Sequence, residues 1–314
     1  MLSFLPHWLR GSLSLLLIIL STAFWFVPLI LLAFVKLLVP IQALRTLCTK
    51  LLIEIATIWV GFNSALLQVM NDITWDVEGL DKLRRDDWYL VTCNHQSWAD
   101  ILVVQKVLHR KTPMLKFFLK QQLIWVPVIG VAWWALDFPF MKRYTSEQIR
   151  KKPQLRGKDL ETTRRACEKF KHTPVAVFNF MEGTRFTPEK HEAQQSPYRY
   201  LLKPKAGGTG FVLGAMGDQL HTMLNLTIHY PDGNLGFWAL LCGRLQRVVV
   251  RGEAVSIPAE LLNRNYQEDE AFRLHIQQWV GELWSAKDEQ LAKLHGSDIA
   301  DSSAVNEELT ENMN

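Results

Sequence analysis

From Gly11 to Val35 the chain carries no charged residue, and Leu, Ile, Val, Phe and Trp dominate. An apolar run of about 25 residues is long enough to cross a bilayer with some tilt. A signal peptide is the weaker reading, because the run is long and lacks a small-x-small cleavage site with a polar start after it. Pro28 inside it permits a kink or a re-entrant hairpin. A second apolar stretch, Leu51 to Met70, includes Glu54 and Asn63 and reads as an interfacial or core-packing helix.

The pattern then becomes globular. Trp88 to Cys93 is a buried-strand signal that runs into Asn94-His95-Gln96-Ser97, and Trp98 to Leu108 reads as helix. Leu160, Thr163, Ala166, Cys167 and Phe170 keep helical spacing, and the strand Val175 to Phe180 follows, ending in Met181-Glu182-Gly183-Thr184-Arg185. Leu224 to Tyr230 predicts another strand before the turn Pro231-Asp232-Gly233. Ile276, Trp279, Val280, Leu283 and Trp284 mark an amphipathic helix. Strands alternating with helices predict an α/β fold, a mixed sheet flanked by helices, preceded by a membrane-embedded helical segment. The domains expected are a membrane-associated segment over 1–70, a catalytic domain over 71–295 and a disordered acidic tail over 296–314.

Charge refines this picture. Lys36, Arg45 and Lys50 follow the first apolar run and only Arg10 precedes it, which puts the C-terminal bulk on the cytoplasmic side. Cys48, Cys93, Cys167 and Cys242 stand singly, as suits a reducing compartment. A net charge of +4 does not call for nucleic acid. Lys142, Arg143, Arg150, Lys151, Lys152, Arg156 and Lys158 nevertheless cluster against the single acid Glu147. They read either as a solvated loop or as a basic face for anionic headgroups or a phosphorylated substrate.

The sharpest chemical signal is Asn94-His95-Gln96-Ser97-Trp98-Ala99-Asp100. On one continuous helix a five-residue offset turns two side chains about 140° apart. With His95 in the loop after a strand and Asp100 in the first helical turn, the two can meet. The carboxylate then takes the imidazole Nδ1–H and leaves Nε2 as a base, and a histidine's ordinary pKa of about 6.5 suits that work near neutrality. The second signal, Glu182-Gly183-Thr184-Arg185, joins a glycine that admits close backbone approach to an Arg fork for phosphate, while Glu182 bonds substrate hydroxyls or braces Arg185. Arg143, closing Phe138 to Arg143, and Lys205 in Lys203-Pro204-Lys205-Ala206-Gly207-Gly208 are further candidates for holding phosphate.

These blocks, in this order, resemble the glycerolipid acyltransferase family, which includes the 1-acyl-glycerol-3-phosphate acyltransferases. Asn94-His95 through Asp100 is similar to its N-H-x-x-x-x-D block, and Phe180 to Arg185 to its F-P-E-G-T-R block, with Met181 in place of Pro. The last block, Leu224 to Tyr230, lacks the usual Pro and looks more like the branch that includes lysocardiolipin acyltransferases. The resemblance implies a fatty-acyl transfer from acyl-CoA or acyl-carrier protein to a lysophospholipid hydroxyl, most simply 1-acyl-glycerol-3-phosphate giving phosphatidic acid. It implies His95 as base, Asp100 as its orienting partner, and Glu182, Gly183 and Arg185 as acceptor-binding residues, with Arg143 at the Arg that closes the second block. Thr184 and Lys205 join them as substrate-binding candidates from the residues themselves. No cofactor and no metal are implied, and a bacterial inner membrane is the expected location.

Three rival readings stand against this one. In the first, a non-catalytic membrane adaptor, His95 is a satisfied core histidine; the four blocks in family order argue against it. His95, Ser97 and Asp100 formally offer a hydrolase triad, and Cys93 offers a thiol, though no G-x-S-x-G elbow occurs. His191 lies between Glu189 and Glu192 but lacks further metal ligands at sensible spacing.

Overall fold

The computed structural model describes the chain except residues 1, 3, 142–149, 152–166, 168, 169, 171, 172, 218, 234, 235, 267 and 312–314, and leaves the side chains of 141 and 299–311 undescribed. Two long helices come first, α1 (His7–Leu38, 32 residues) and α2 (Gln42–Met70, 29 residues). At 1.5 Å per residue they run roughly 48 and 44 Å, beyond the roughly 30 Å of a bilayer's hydrocarbon core. They share a small core around Leu29, Ala33, Leu52 and Ala56. Their outer faces keep Phe24, Leu31, Phe34, Leu37, Leu44 and Leu51 exposed. Pro28 sits inside one continuous helix, so the hairpin that it permitted does not form there. The second helix starts at Gln42, ahead of the predicted Leu51. Thr46 and Thr49 lie inside this extra stretch, and their hydroxyls bond back to the carbonyls of Gln42 and Arg45, four residues earlier.

The body that follows is built on a six-stranded sheet in the order β1-β8-β7-β2-β6-β3. Its strands are β1 (Thr74–Glu78), β2 (Tyr89–Cys93), β3 (Leu115–Phe117), β6 (Ala176–Phe180), β7 (Thr222–His229) and β8 (Arg247–Ser256). Only β7 and β8 pair antiparallel; the other neighbours are parallel, so the sheet is mixed. The short β4 (Leu119–Lys120) and β5 (Phe140–Met141) pair apart from it. Arg143, two residues past β5, lies outside the described residues, as does most of the basic cluster.

Period-two alternation sends each central strand to two cores. Tyr89, Val91, Cys93, Phe178, Leu224 and Leu226 join α3 (Ala99–Val107) on one face. Leu90, Val177 and Met223 join α6 (Ala206–Met216) and α8 (Glu270–Glu311) on the other. Phe272, Ile276, Val280, Trp284 and Leu291 form the buried stripe of α8. Further α-helices among the described residues are α4 (Ile129–Ala135), against α1, α5 (Pro188–Gln194) and α7 (Gly236–Cys242), against α1 and α3.

Helix α8 runs on past Gly296, where the acidic tail was expected to begin, to Glu311.

Candidate active site

Strands β2, β6 and β7 are parallel, and their carboxyl ends finish side by side, with Cys93 opposite both Phe180 and Leu226. The residues that follow each strand are therefore delivered to one edge. Asn94 and His95 come from β2, Glu182 and Gly183 from β6, and Tyr230 from β7. Open α/β sheets place their ligands at this edge.

The β2 exit is fixed on both sides. The Asn94 side chain accepts from the Ile228 amide (2.8 Å) and donates to the Ile228 carbonyl (2.8 Å), continuing the ladder to β7 by a side chain. The His95 amide donates to Glu182 Oε1 at 2.7 Å. The imidazole then stacks on Phe180, with ring centroids 3.9 Å apart and planes 13° from parallel. Its Nδ1 lies 2.8 Å from Asp100 Oδ2. Asp100 is an acceptor, so Nδ1 is the donor, and no described residue takes Nε2. That nitrogen carries the lone pair and can accept a proton.

Asp100 is fully buried and held from four directions. Oδ2 also accepts from the amides of Gln96 (2.7 Å) and Ser97 (2.9 Å), and Oδ1 accepts from the Tyr230 hydroxyl at 2.6 Å. A carboxylate in the first turn of α3 that reaches back to two preceding amides folds the five-residue offset into contact. Burial and the neighbouring Asp100 push the Tyr230 hydroxyl well above its ordinary value, so it serves as a donor. The sequence placed Tyr230 at the end of the Leu224–Tyr230 block but gave no sign of its contact with Asp100: the two lie 130 positions apart, and strand register brings them together.

Glu182 is placed differently from the expectation of a contact with substrate. It is 1% exposed, with Oε1 on the His95 amide and Oε2 on the Leu202 amide (3.1 Å), so it braces the loop that carries the imidazole. Desolvation pushes its carboxyl up to about 7, against those two amides. Lys287 of α8, also buried, donates to the Leu226 carbonyl and to Thr227 Oγ1 beneath this edge, and burial draws its ammonium down to about 8.

The cationic side lies next to it. Gly183 has φ +68°, and a Cβ there would meet the Lys205 side chain at 3.0 Å. Arg185 is exposed, its guanidinium 4.9 Å over the Trp98 ring. Gly183, Thr184, Arg185 and Lys205 thus share one surface beside the imidazole loop, and Lys205 leads into the N-terminus of α6. Lys190, unmarked in the sequence, donates to Thr184 Oγ1 and to the Arg185 carbonyl, both at 2.9 Å.

The rival nucleophiles are occupied. Ser97 is 3% exposed and its Oγ accepts from the Ala99 amide at 3.2 Å. Cys93 is fully buried, and desolvation raises its thiol well above the ordinary value, which keeps it from forming a thiolate.

Residues 74–217 match the Acyltransferase family. The chain is 25% identical over 239 residues to the 1-acyl-sn-glycerol-3-phosphate acyltransferase 3 of Arabidopsis thaliana, over 71% of this chain and 58% of that protein. It therefore spans less than two thirds of that relative. Among solved structures it is similar to the 1-acyl-sn-glycerophosphate (LPA) acyltransferase PlsC from Thermotoga maritima, with a TM-score of 0.51 and 17% identity, over 89% of this chain and 98% of that one.

Proposed function

We propose that this chain, whose residues 74–217 match the Acyltransferase family, transfers a fatty-acyl group from a thioester to the free hydroxyl of 1-acyl-glycerol-3-phosphate, the activity named in its curated relative. The observation that carries the reading is the His95 imidazole held between Phe180 and a buried, fully bonded Asp100, with Nε2 left over.

The chemistry runs as one addition and one elimination. His95 Nε2 takes the proton of the acceptor hydroxyl as that oxygen bonds the thioester carbonyl carbon. The tetrahedral intermediate collapses, the C–S bond breaks, and the departing sulfur takes the proton back from the imidazolium. Ester and free thiol are the products, and no acyl-enzyme forms. Asp100 fixes the tautomer and stabilises the transient imidazolium. The amides of Gln96 and Ser97 are committed to Asp100, so the developing oxyanion draws on other donors.

Arg185, Lys205 and the positive end of α6 are the groups assigned to the acceptor phosphate. The donor is acyl-CoA or acyl-carrier protein. The apolar outer faces of α1 and α2 support residence in a membrane, where acceptor and product both concentrate, with the sheet on the cytoplasmic side of a bacterial inner membrane.

Purified full-length protein incubated with labelled acyl-CoA or acyl-carrier protein and a panel of lysophospholipids tests this. Labelled phosphatidic acid is the expected product. Labelled free fatty acid without any new ester would overturn the reading in favour of a hydrolase.

A further inference from the structure

On the face of the sheet opposite Asp100, a second cluster closes the carboxyl end of β7. His229, the last residue of that strand, is 1% exposed, and its Nε2 lies 2.5 Å from Asp298 Oδ2 on α8. His295 stands three positions before Asp298, so both project from one side of that helix. The His295 ring packs edge-on to His229 (centroids 4.3 Å, 65°) and stacks on Tyr200 (4.2 Å, 12°). One ligand atom from each of His229, His295 and Asp298 lies within 4.8 Å of the others.

We propose that His229, His295 and Asp298 bind one divalent transition-metal ion of the zinc class, which clamps α8 to the end of β7. The donor set fits that class. Two imidazoles and one carboxylate are the nitrogen–oxygen mixture that zinc and its neighbours take, whereas calcium and magnesium want oxygen throughout. The spacing fits as well. Around a tetrahedral ion with bonds of about 2.0–2.1 Å, ligand atoms sit roughly 3.3 Å apart. Closing the ligand atoms from within 4.8 Å of one another to that spacing asks small side-chain adjustments of His295 and Asp298, including a shift of His295 on the Tyr200 ring. Three protein ligands leave one position to water. The sequence hides this site because its strand ligand and its helix ligands are 66 or more positions apart, a separation at which no motif spacing is visible.

The location gives the clamp a consequence. Tyr230, one residue past His229 and on the other face, holds Asp100. An ion that fixes the β7 end fixes the base of that tyrosine. Without an ion, the same three residues are only a hydrogen-bonded tether between strand and helix, and the two readings differ in what added metal does.

The test uses full-length protein in detergent, purified without a histidine tag and stripped with a chelator. Titration with zinc chloride is followed by calorimetry and by thermal unfolding, and cobalt(II) is added separately for its visible absorption. One equivalent should bind and raise the unfolding temperature, and cobalt should give the intense d–d bands of a low-coordinate nitrogen site. His295→Ala and Asp298→Asn, each checked to unfold near the temperature of metal-free wild type, should weaken binding by more than the roughly 10–100-fold typical of losing an outer-shell partner. His275→Ala, an exposed histidine on the same helix, should bind as wild type does. No one-to-one event, or one unchanged by His295→Ala and Asp298→Asn, would overturn the proposal.

Discussion

Asp100 has more partners than any other side chain at the sheet edge, and its bonds make separable predictions. Asp100→Asn keeps the shape but returns an amide N–H toward at least one donor, so the imidazole loses its orientation. Turnover should fall by about two or more orders of magnitude while the acceptor KM changes little. Tyr230→Phe leaves one buried carboxylate oxygen unpaired, at about 1–3 kcal/mol. It should lower turnover about tenfold and lower the unfolding temperature as well. Arg185→Lys keeps the charge and loses the planar fork. The expected loss is about 1.5–3 kcal/mol of acceptor binding, read as a raised KM for 1-acyl-glycerol-3-phosphate with an unchanged donor KM. Glu182 adds a pH dependence. Its folded value of about 7 lies above the ordinary 4.5, so the folded state favours the neutral acid. The stability it contributes is complete below about 4.5 and is lost as pH rises through about 7, by at most roughly 3 kcal/mol. Wild type should therefore lose unfolding temperature relative to Glu182→Gln between about pH 5 and pH 8, and parallel curves would contradict this.

At the scale of elements, the site is the meeting of three strand ends and one helix start. The sequence made most of this legible, because a buried strand, a polar block and a helical pattern follow one another around both His95 and Glu182. The carboxylate in the first helical turn forced the His95–Asp100 contact once the helix was placed after the loop. What stayed hidden is set by register. Tyr230, the Asn94–Ile228 ladder and the turning of Glu182 onto backbone amides all depend on which strands are neighbours, and local patterning does not encode that. The start of α2 was missed for a different reason: polar Thr46, Thr49 and Lys50 dilute its apolar stripe. The Gly183 turn supplies the test at this scale. Its φ of +68° costs a side-chain-bearing residue about 1–2 kcal/mol, and the new Cβ would press on Lys205. Gly183→Ala should thus destabilise the turn and weaken acceptor use together, measured by unfolding temperature and KM.

At the scale of the molecule, a sheet with its candidate site at one edge is attached to two helices whose outer faces stay exposed among the described residues. If those faces meet lipid, full-length protein should stay with membranes through carbonate washing; release into the soluble fraction with activity intact would contradict it. The first apolar run was plain in the sequence from its lack of charge. The basic cluster around Arg143 was equally plain, but most of it lies outside the described residues. The account as a whole rests on direct transfer with His95 as base. Its most direct measurement is the rate of phosphatidic acid formation by folded wild type, His95→Ala and Ser97→Ala, with intact mass recorded during turnover. His95→Ala should lose about 10²–10⁴ in rate, and Ser97→Ala should work at nearly the wild-type rate with no acyl group on the protein. A His95→Ala enzyme as fast as wild type, or a folded and inactive Ser97→Ala with acyl trapped on Ser97 or Cys93 in the wild type, would contradict the account.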